Sequence, residues 1–106
     1  MYIAATTYTI QPGKKNEMLA ISDSAKKEAD SLLMKVPGVT GYYSLVNVDG
    51  DEGIVMIIYA TEAQAKAGSN TPQNQAYMAA PYTAQLVSCM VPGSMSRKVY
   101  EVLAQA

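Results

Sequence analysis

The hydrophobic pattern of the chain alternates between a period of two and a period near ~3.6 residues, the signatures of strand and helix. Tyr2 to Ile10 is built from Tyr, Ile, Thr and Ala without a charge, which predicts a strand. Gln11-Pro12-Gly13 stops it. From about Lys14 to Val36 the positions Met18, Ile21, Ala25, Ala29, Leu32 and Val36 recur three and four apart, one face of a helix. Asp23 with Lys27 and Lys26 with Asp30 fall on its wet side as i,i+4 pairs, and the small Ala25 and Ala29 allow close approach to a sheet. Pro37-Gly38 ends this helix. Val39 to Val48 is again strand-like, and Asp49-Gly50 signals a hairpin whose loop extends through Gly53. Ile54 to Ala60 is continuously apolar, as in a strand covered on both faces. Thr61 and Gln64 are spaced as a capping box, each side chain serving the other's free backbone N–H. Gly68 interrupts the helix they open, Thr71-Pro72 restarts it and Pro81 breaks it again. Residues 61 to 91 therefore read as one helical crossover in two or three pieces, closed by Pro92-Gly93. Arg97 to Leu103 returns to alternation, with Val99 and Leu103 on one face and Lys98, Tyr100 and Val102 on the other.

The order is βαββαβ. Two right-handed crossovers place both helical segments on one face of a four-stranded antiparallel sheet, an α+β, ferredoxin-like arrangement. Residues 1–106 form one domain, with no linker, repeat or low-complexity stretch.

A sheet with helices on one face and water on the other should show polar residues at alternate positions. In the third strand Ile54, Met56 and Ile58 point one way and Val55, Ile57 and Tyr59 the other. In the first, Tyr2, Ala4, Thr6, Tyr8 and Ile10 oppose Ile3, Ala5, Thr7 and Thr9. In the second, Val39, Tyr43 and Leu45 oppose Tyr42, Val46 and Val48. Both faces are apolar. A second apolar face of several hundred Å² or more marks an interface, and a two-fold homodimer with sheet against sheet closes it most simply. The rival is a cover made by edge loops or the C-terminal tail.

Composition narrows the class. Charged residues make up 16% of the chain, well under the usual ~25%, consistent with surface covered by a partner. The net charge is −1 and the basic residues are scattered, so nucleic-acid binding has no electrostatic basis. Cys89 is the sole cysteine, which excludes an intramolecular disulfide and a zinc knuckle. No apolar run approaches the ~20 residues of a membrane span. Met1 runs directly into strand-like residues, so the expectation is a cytoplasmic enzyme or binding protein.

Several segments carry a family likeness: Gln11-Pro12-Gly13-Lys14, Val36-Pro37-Gly38-Val39-Thr40-Gly41-Tyr42, Asp49-Gly50-Asp51-Glu52-Gly53, Tyr59-Ala60-Thr61-Glu62-Ala63-Gln64-Ala65 and Val99-Tyr100-Glu101-Val102. On these the chain resembles the dimeric α/β-barrel superfamily, and within it the antibiotic-biosynthesis-monooxygenase (ABM) branch. The resemblance implies a homodimer with sheets packed back to back, and a pocket in each protomer between helices and sheet. It also implies oxidation of phenolic or quinol-type aromatics by O₂ without a cofactor. In that chemistry the substrate anion supplies the electrons, and the protein desolvates it, stabilises its charge and holds O₂ nearby. Other members of the branch degrade haem with an Asn on the first strand and a Trp and a His elsewhere. This chain has no His and no Trp, and its first strand offers Thr6 and Thr7 instead. A general base, if one acts, is a carboxylate, a Tyr or water.

Eight Tyr with no Phe and no Trp make an unusual aromatic set. Tyr8, Tyr43, Tyr59, Tyr77 and Tyr82, with Tyr42, are candidates to line a substrate pocket, their hydroxyls both donating and accepting. The plainer reading of any one is core or interface packing with a wet tip. Asn47, polar within Leu45-Val46-Asn47-Val48, is the candidate catalytic amide; the plainer reading is a strand-end residue preparing the Asp49-Gly50 turn. Met56, Met78 and Met90 suit an adaptable pocket or a loose core. Cys89 lacks a basic neighbour in sequence and reads as a buried thiol. Asp49, Asp51 and Glu52 resemble a calcium loop, but position twelve is Ala60. Two functions follow. One is a cofactor-independent monooxygenase acting on a small aromatic. The other is a non-catalytic homodimer binding a small aromatic or apolar molecule. A module that only dimerises is a third possibility.

Overall fold

Four segments become strands: β1 (Tyr2–Thr9), β2 (Val39–Val46), β3 (Glu52–Tyr59) and β4 (Ser96–Glu101). They form one antiparallel sheet in the order β2-β3-β1-β4 in the computed structural model, which describes residues Met1–Ala106. The first crossover is α1 (Lys15–Ala20) and α2 (Ser22–Leu32) with a 3₁₀ turn over Leu33–Lys35. The second is α3 (Glu62–Ala67), a 3₁₀ turn over Gly68–Asn70, α4 (Pro72–Ala79) and α5 (Pro81–Ser88). This is the ferredoxin-like topology, with helices on one face of the sheet.

Three local expectations change. The single helix over 14–36 breaks at Ile21 and tightens to 3₁₀ after Leu32. The tightening buries Leu33 completely in place of Leu32. Asp23 forms no ion pair with Lys27; of the two expected pairs only Lys26–Asp30 closes, at 2.6 Å. The capping box is half made: the Thr61 hydroxyl accepts from Gln64 N at 3.2 Å, but Gln64 Oε1 is buried without a partner against Gly38.

One correction concerns the sheet. Val39 pairs with Tyr59, and the register slips between Val39 and Gly41. That bulge turns Val39 to the helix side, where it packs on the core, rather than to the outer face with Tyr43 and Leu45. From Gly41 onward alternation is regular: Tyr42 lies opposite Ile57, and Tyr43 opposite Met56.

Two buried clusters hold the helices to the sheet. One gathers Ala4, Ala29, Leu33, Val36, Ile57, Tyr59 and Ala65. The other gathers Tyr8, Ile10, Met18, Cys89 and Met90. Gln11 ties the exit of β1 to the end of α5, its side-chain amide donating to the carbonyls of Ser88 (3.0 Å) and Met90 (2.9 Å). The outer face has no cover within the chain. Tyr43, Leu45 and Tyr100 are 59%, 43% and 52% exposed there, and Ile3, Ile54, Met56 and Ile58 are only partly buried.

Candidate functional site

Strand parity sends Tyr8, Tyr59 and Arg97 to the helix side of the sheet, where Arg97 sits opposite Thr6. Two glycines make room for the rings. A Cβ on Gly53, the cross-strand partner of Tyr8, would lie 2.3 Å from the Tyr8 hydroxyl. A Cβ on Gly68 would lie 2.0 Å from the Tyr59 hydroxyl. Above the rings α4 and α5 contribute Tyr77, Met78 and Leu86. Together they enclose a chamber of about 210 Å³ between the two core clusters.

The chamber roof is held by a carboxylate from another element. Ala80, which precedes α5, has no capping side chain. Glu28 of α2 takes that role, accepting from the backbone N–H groups of Tyr82 (3.0 Å) and Thr83 (2.7 Å) and from the Thr83 hydroxyl (3.0 Å). Its desolvation favours the neutral acid, but these three hydrogen bonds together outweigh that and hold the carboxyl below its usual range.

Arg97 is the only charged side chain lining the chamber. Its Nη2 donates to the Ala65 carbonyl at 2.5 Å, and its guanidinium lies beside the Tyr59 hydroxyl. This anchorage fixes one edge of a planar group that carries five donors. The tyrosines are tuned the other way. Burial raises the Tyr59 phenol, only partly opposed by Arg97. Burial, then repulsion from Tyr77 and Cys89, raises Tyr8. Burial raises Tyr77, with the Glu28 charge adding and the Thr83 hydroxyl opposing. All three are neutral hydroxyls at physiological pH. The chamber thus presents one fixed cation, several neutral donors and an apolar wall, a set that can bind and stabilise a small planar anion. It contains no carboxylate and no imidazole. No three His, Cys, Asp or Glu side chains converge as a metal site.

Of the residues singled out from sequence, Tyr8, Tyr59 and Tyr77 meet in this chamber. Tyr43 stands on the outer sheet face and Tyr82 is 42% exposed on α5; neither lines it. Asn47 lies at the β2–β3 hairpin, where its amide oxygen and one amide N–H are engaged. Its Oδ1 accepts from the N–H groups of Asp51 (3.0 Å) and Glu52 (3.1 Å), and its Nδ2 donates to the Asp51 carboxylate. Tyr42 donates to Asp30 at 2.6 Å outside the chamber. Arg97, Asn74 and Ser44, which do line it, were not singled out. Arg97 left one signal: it shares the parity of Val99, so it is a charge on the apolar face of its strand.

A wider depression of about 650 Å³ adjoins the chamber between α1, α2 and the inner face of β2. Ser44, Tyr77 and Leu86 line both.

No protein-family model matches the chain. No curated protein matches its sequence. Solved structures do match over nearly the whole length. One described as a "putative antibiotic biosynthesis monooxygenase" from Bordetella bronchiseptica superposes with a TM-score of 0.70 at 11% identity, covering 97% of both chains. One of the same description from Nitrosomonas europaea gives 0.64 at 15% identity, covering 98% of this chain and 100% of that one. A variant of SnoaB, a cofactor-independent oxygenase from Streptomyces nogalater, gives 0.64 at 10% identity, covering 98% and 94%. The chain shares their fold. At these identities the likeness concerns the backbone, and the chemistry of the chamber rests on this chain's own residues.

Proposed function

We propose that this protein is a cofactor-independent, monooxygenase-like enzyme that oxidises a small phenol- or quinol-type aromatic in the chamber between sheet and helices. The observation that carries the proposal is the Arg97 guanidinium, anchored on Ala65 and lining, as its one charge, a largely apolar space shared with three neutral tyrosines. A substrate oxygen beside Arg97 ionises more readily than in water, because a fixed positive charge in a low-dielectric site stabilises the anion. The anion then gives an electron pair to O₂. A carbon–oxygen bond forms at a carbon that still bears hydrogen, the peroxide anion takes a proton to become a hydroperoxide, and breaking its O–O bond together with that C–H bond releases water and leaves one oxygen atom on the substrate as a carbonyl. All electrons come from the substrate, so the atoms and charges balance without a cofactor. The substrate proton departs to water, since no base lines the chamber.

The uncovered apolar sheet face supports a two-fold homodimer, in which each protomer keeps its own chamber on the opposite side. A cytoplasmic setting accords with the lone reduced thiol at Cys89.

One observation favours a second reading, a non-catalytic homodimer that binds a small aromatic or apolar molecule: the lining has no group suited to general-base work. Oxygen uptake with a panel of anthrones and quinols separates the two. The enzyme reading expects uptake that falls roughly 10²-fold or more in Arg97→Met, the scale of a lost oxyanion donor. Binding of panel members without uptake from any of them favours the second reading.

A further inference from the structure

The chamber alone is small for its proposed task. Its 210 Å³ lies under the ~300–1,000 Å³ of pockets that hold drug-sized ligands, and it accommodates one substituted ring. The adjoining depression is three times larger, and Ser44, Tyr77 and Leu86 line both spaces. The depression has walls of Met18, Leu19 and Met34 and a close approach at Ala25 and Ala29. Of the three charges at its rim, Lys26 and Asp30 pair at 2.6 Å, Tyr42 donates to the same carboxylate at 2.6 Å, and Asp23 stays unpaired, so the rim offers no free cation to an anionic tail. Unbranched, adaptable methionines face the space that is left.

Resting on the ring-binding reading above, we propose that the two spaces form one bipartite site whose substrate is a monocyclic phenol or quinol bearing an apolar chain. The ring occupies the chamber beside Arg97. The chain passes Tyr77 and Leu86 and lies along Met18, Leu19 and Met34. Tyr77 thereby sets the boundary between head and tail and the shape of molecule accepted.

The test is calorimetric titration of the full-length protein with phenol, 4-ethylphenol, 4-butylphenol and 4-hexylphenol, using wild type, Arg97→Met, Leu19→Asp and Met34→Asp. Leu19 and Met34 are 51% and 37% exposed, so a charge at either is tolerated by the fold. Affinity is expected to rise about fourfold per methylene once the chain passes Tyr77, the fold-change for burying one CH₂. That gain is expected to collapse in Leu19→Asp and Met34→Asp. Arg97-dependent binding of phenol with no gain along the series overturns the bipartite site and leaves the ring reading standing. A gain that persists in both aspartate variants places the chain elsewhere and also overturns it. Failure of every member to bind wild type overturns the ring reading and this inference together.

Discussion

Gly68→Ala sets two effects of known size against each other. Gly68 has φ −56° and ψ −37°, ordinary right-handed angles that alanine adopts without strain. Helix propensity alone therefore predicts stabilisation of about 1 kcal/mol. Packing predicts the opposite. The new Cβ would lie 2.0 Å from the Tyr59 hydroxyl, 2.6 Å from Cζ and 3.0 Å from Cε1. Tyr59 is 1% exposed, and its rigid ring has only the chamber to move into. Overpacking of this kind costs about 1–3 kcal/mol. The difference is a net loss of up to about 2 kcal/mol, and a melting temperature lower by roughly 4–8 °C per kcal/mol for a domain of this size. The displaced ring also occupies ligand space, so phenol affinity is expected to fall with stability. Tyr59→Phe in the same background relieves only part of the clash, because Cζ is still too close. Thermal denaturation and phenol titration of the single and double variants supply the four corners of a cycle. A Gly68→Ala protein that is stabilised by the full propensity gain, with ligand affinity unchanged, refutes the close approach.

Other outcomes follow from the same geometry. The phenols of Tyr8, Tyr59 and Tyr77 are all raised above 10, so no chamber tyrosine titrates between pH 6 and 9; the pH–rate profile should shift with the acidity of the substrate and stay unchanged in Tyr8→Phe. Glu28 has a folded-state pKa below its ordinary 4.5, so its contribution to stability is complete above that value and disappears as the pH falls through the lowered one. Urea midpoints measured from pH 7 to pH 2 should show an acid-side loss that is smaller in Glu28→Gln, which is itself less stable at pH 7. Met56→Glu places a charge at the centre of the outer face and should convert a dimeric mass in light scattering to a monomeric one; a wild-type protein already monomeric at micromolar concentration contradicts the interface. Cys89 is fully buried and burial raises its thiol pKa, so it should react with a disulfide reagent only as the protein unfolds.

Much of the architecture is local in origin and was legible in the chain. The strand at Tyr2–Thr9, the restart at Thr71-Pro72 and the break at Pro81 follow from backbone sterics and from side chains that satisfy their own neighbours. The doubly apolar sheet was equally readable, because alternation needs only the sequence. The site was not, since its parts come from all four strands and from α4 and α5 and meet only through packing. Asn47 looked conspicuous because it is polar among apolar neighbours, yet the hairpin it closes engages its amide. Tyr59 and Tyr77 were candidates among eight tyrosines, and composition could not rank them above Tyr43; their positions relative to the helices did. The bulge that moved Val39 across the sheet has one local signal, the isolated Gly41 within a strand pattern, but only the pairing with β3 shows which side chains it turns. Arg97 gained its meaning from the Ala65 carbonyl, 32 positions away, and Glu28 from the uncapped end of α5, 55 positions from Thr83. Sequence determines what each segment prefers. Long-range packing decides which polar groups lose water together, and that shared loss of solvent is what makes a cluster of side chains a site.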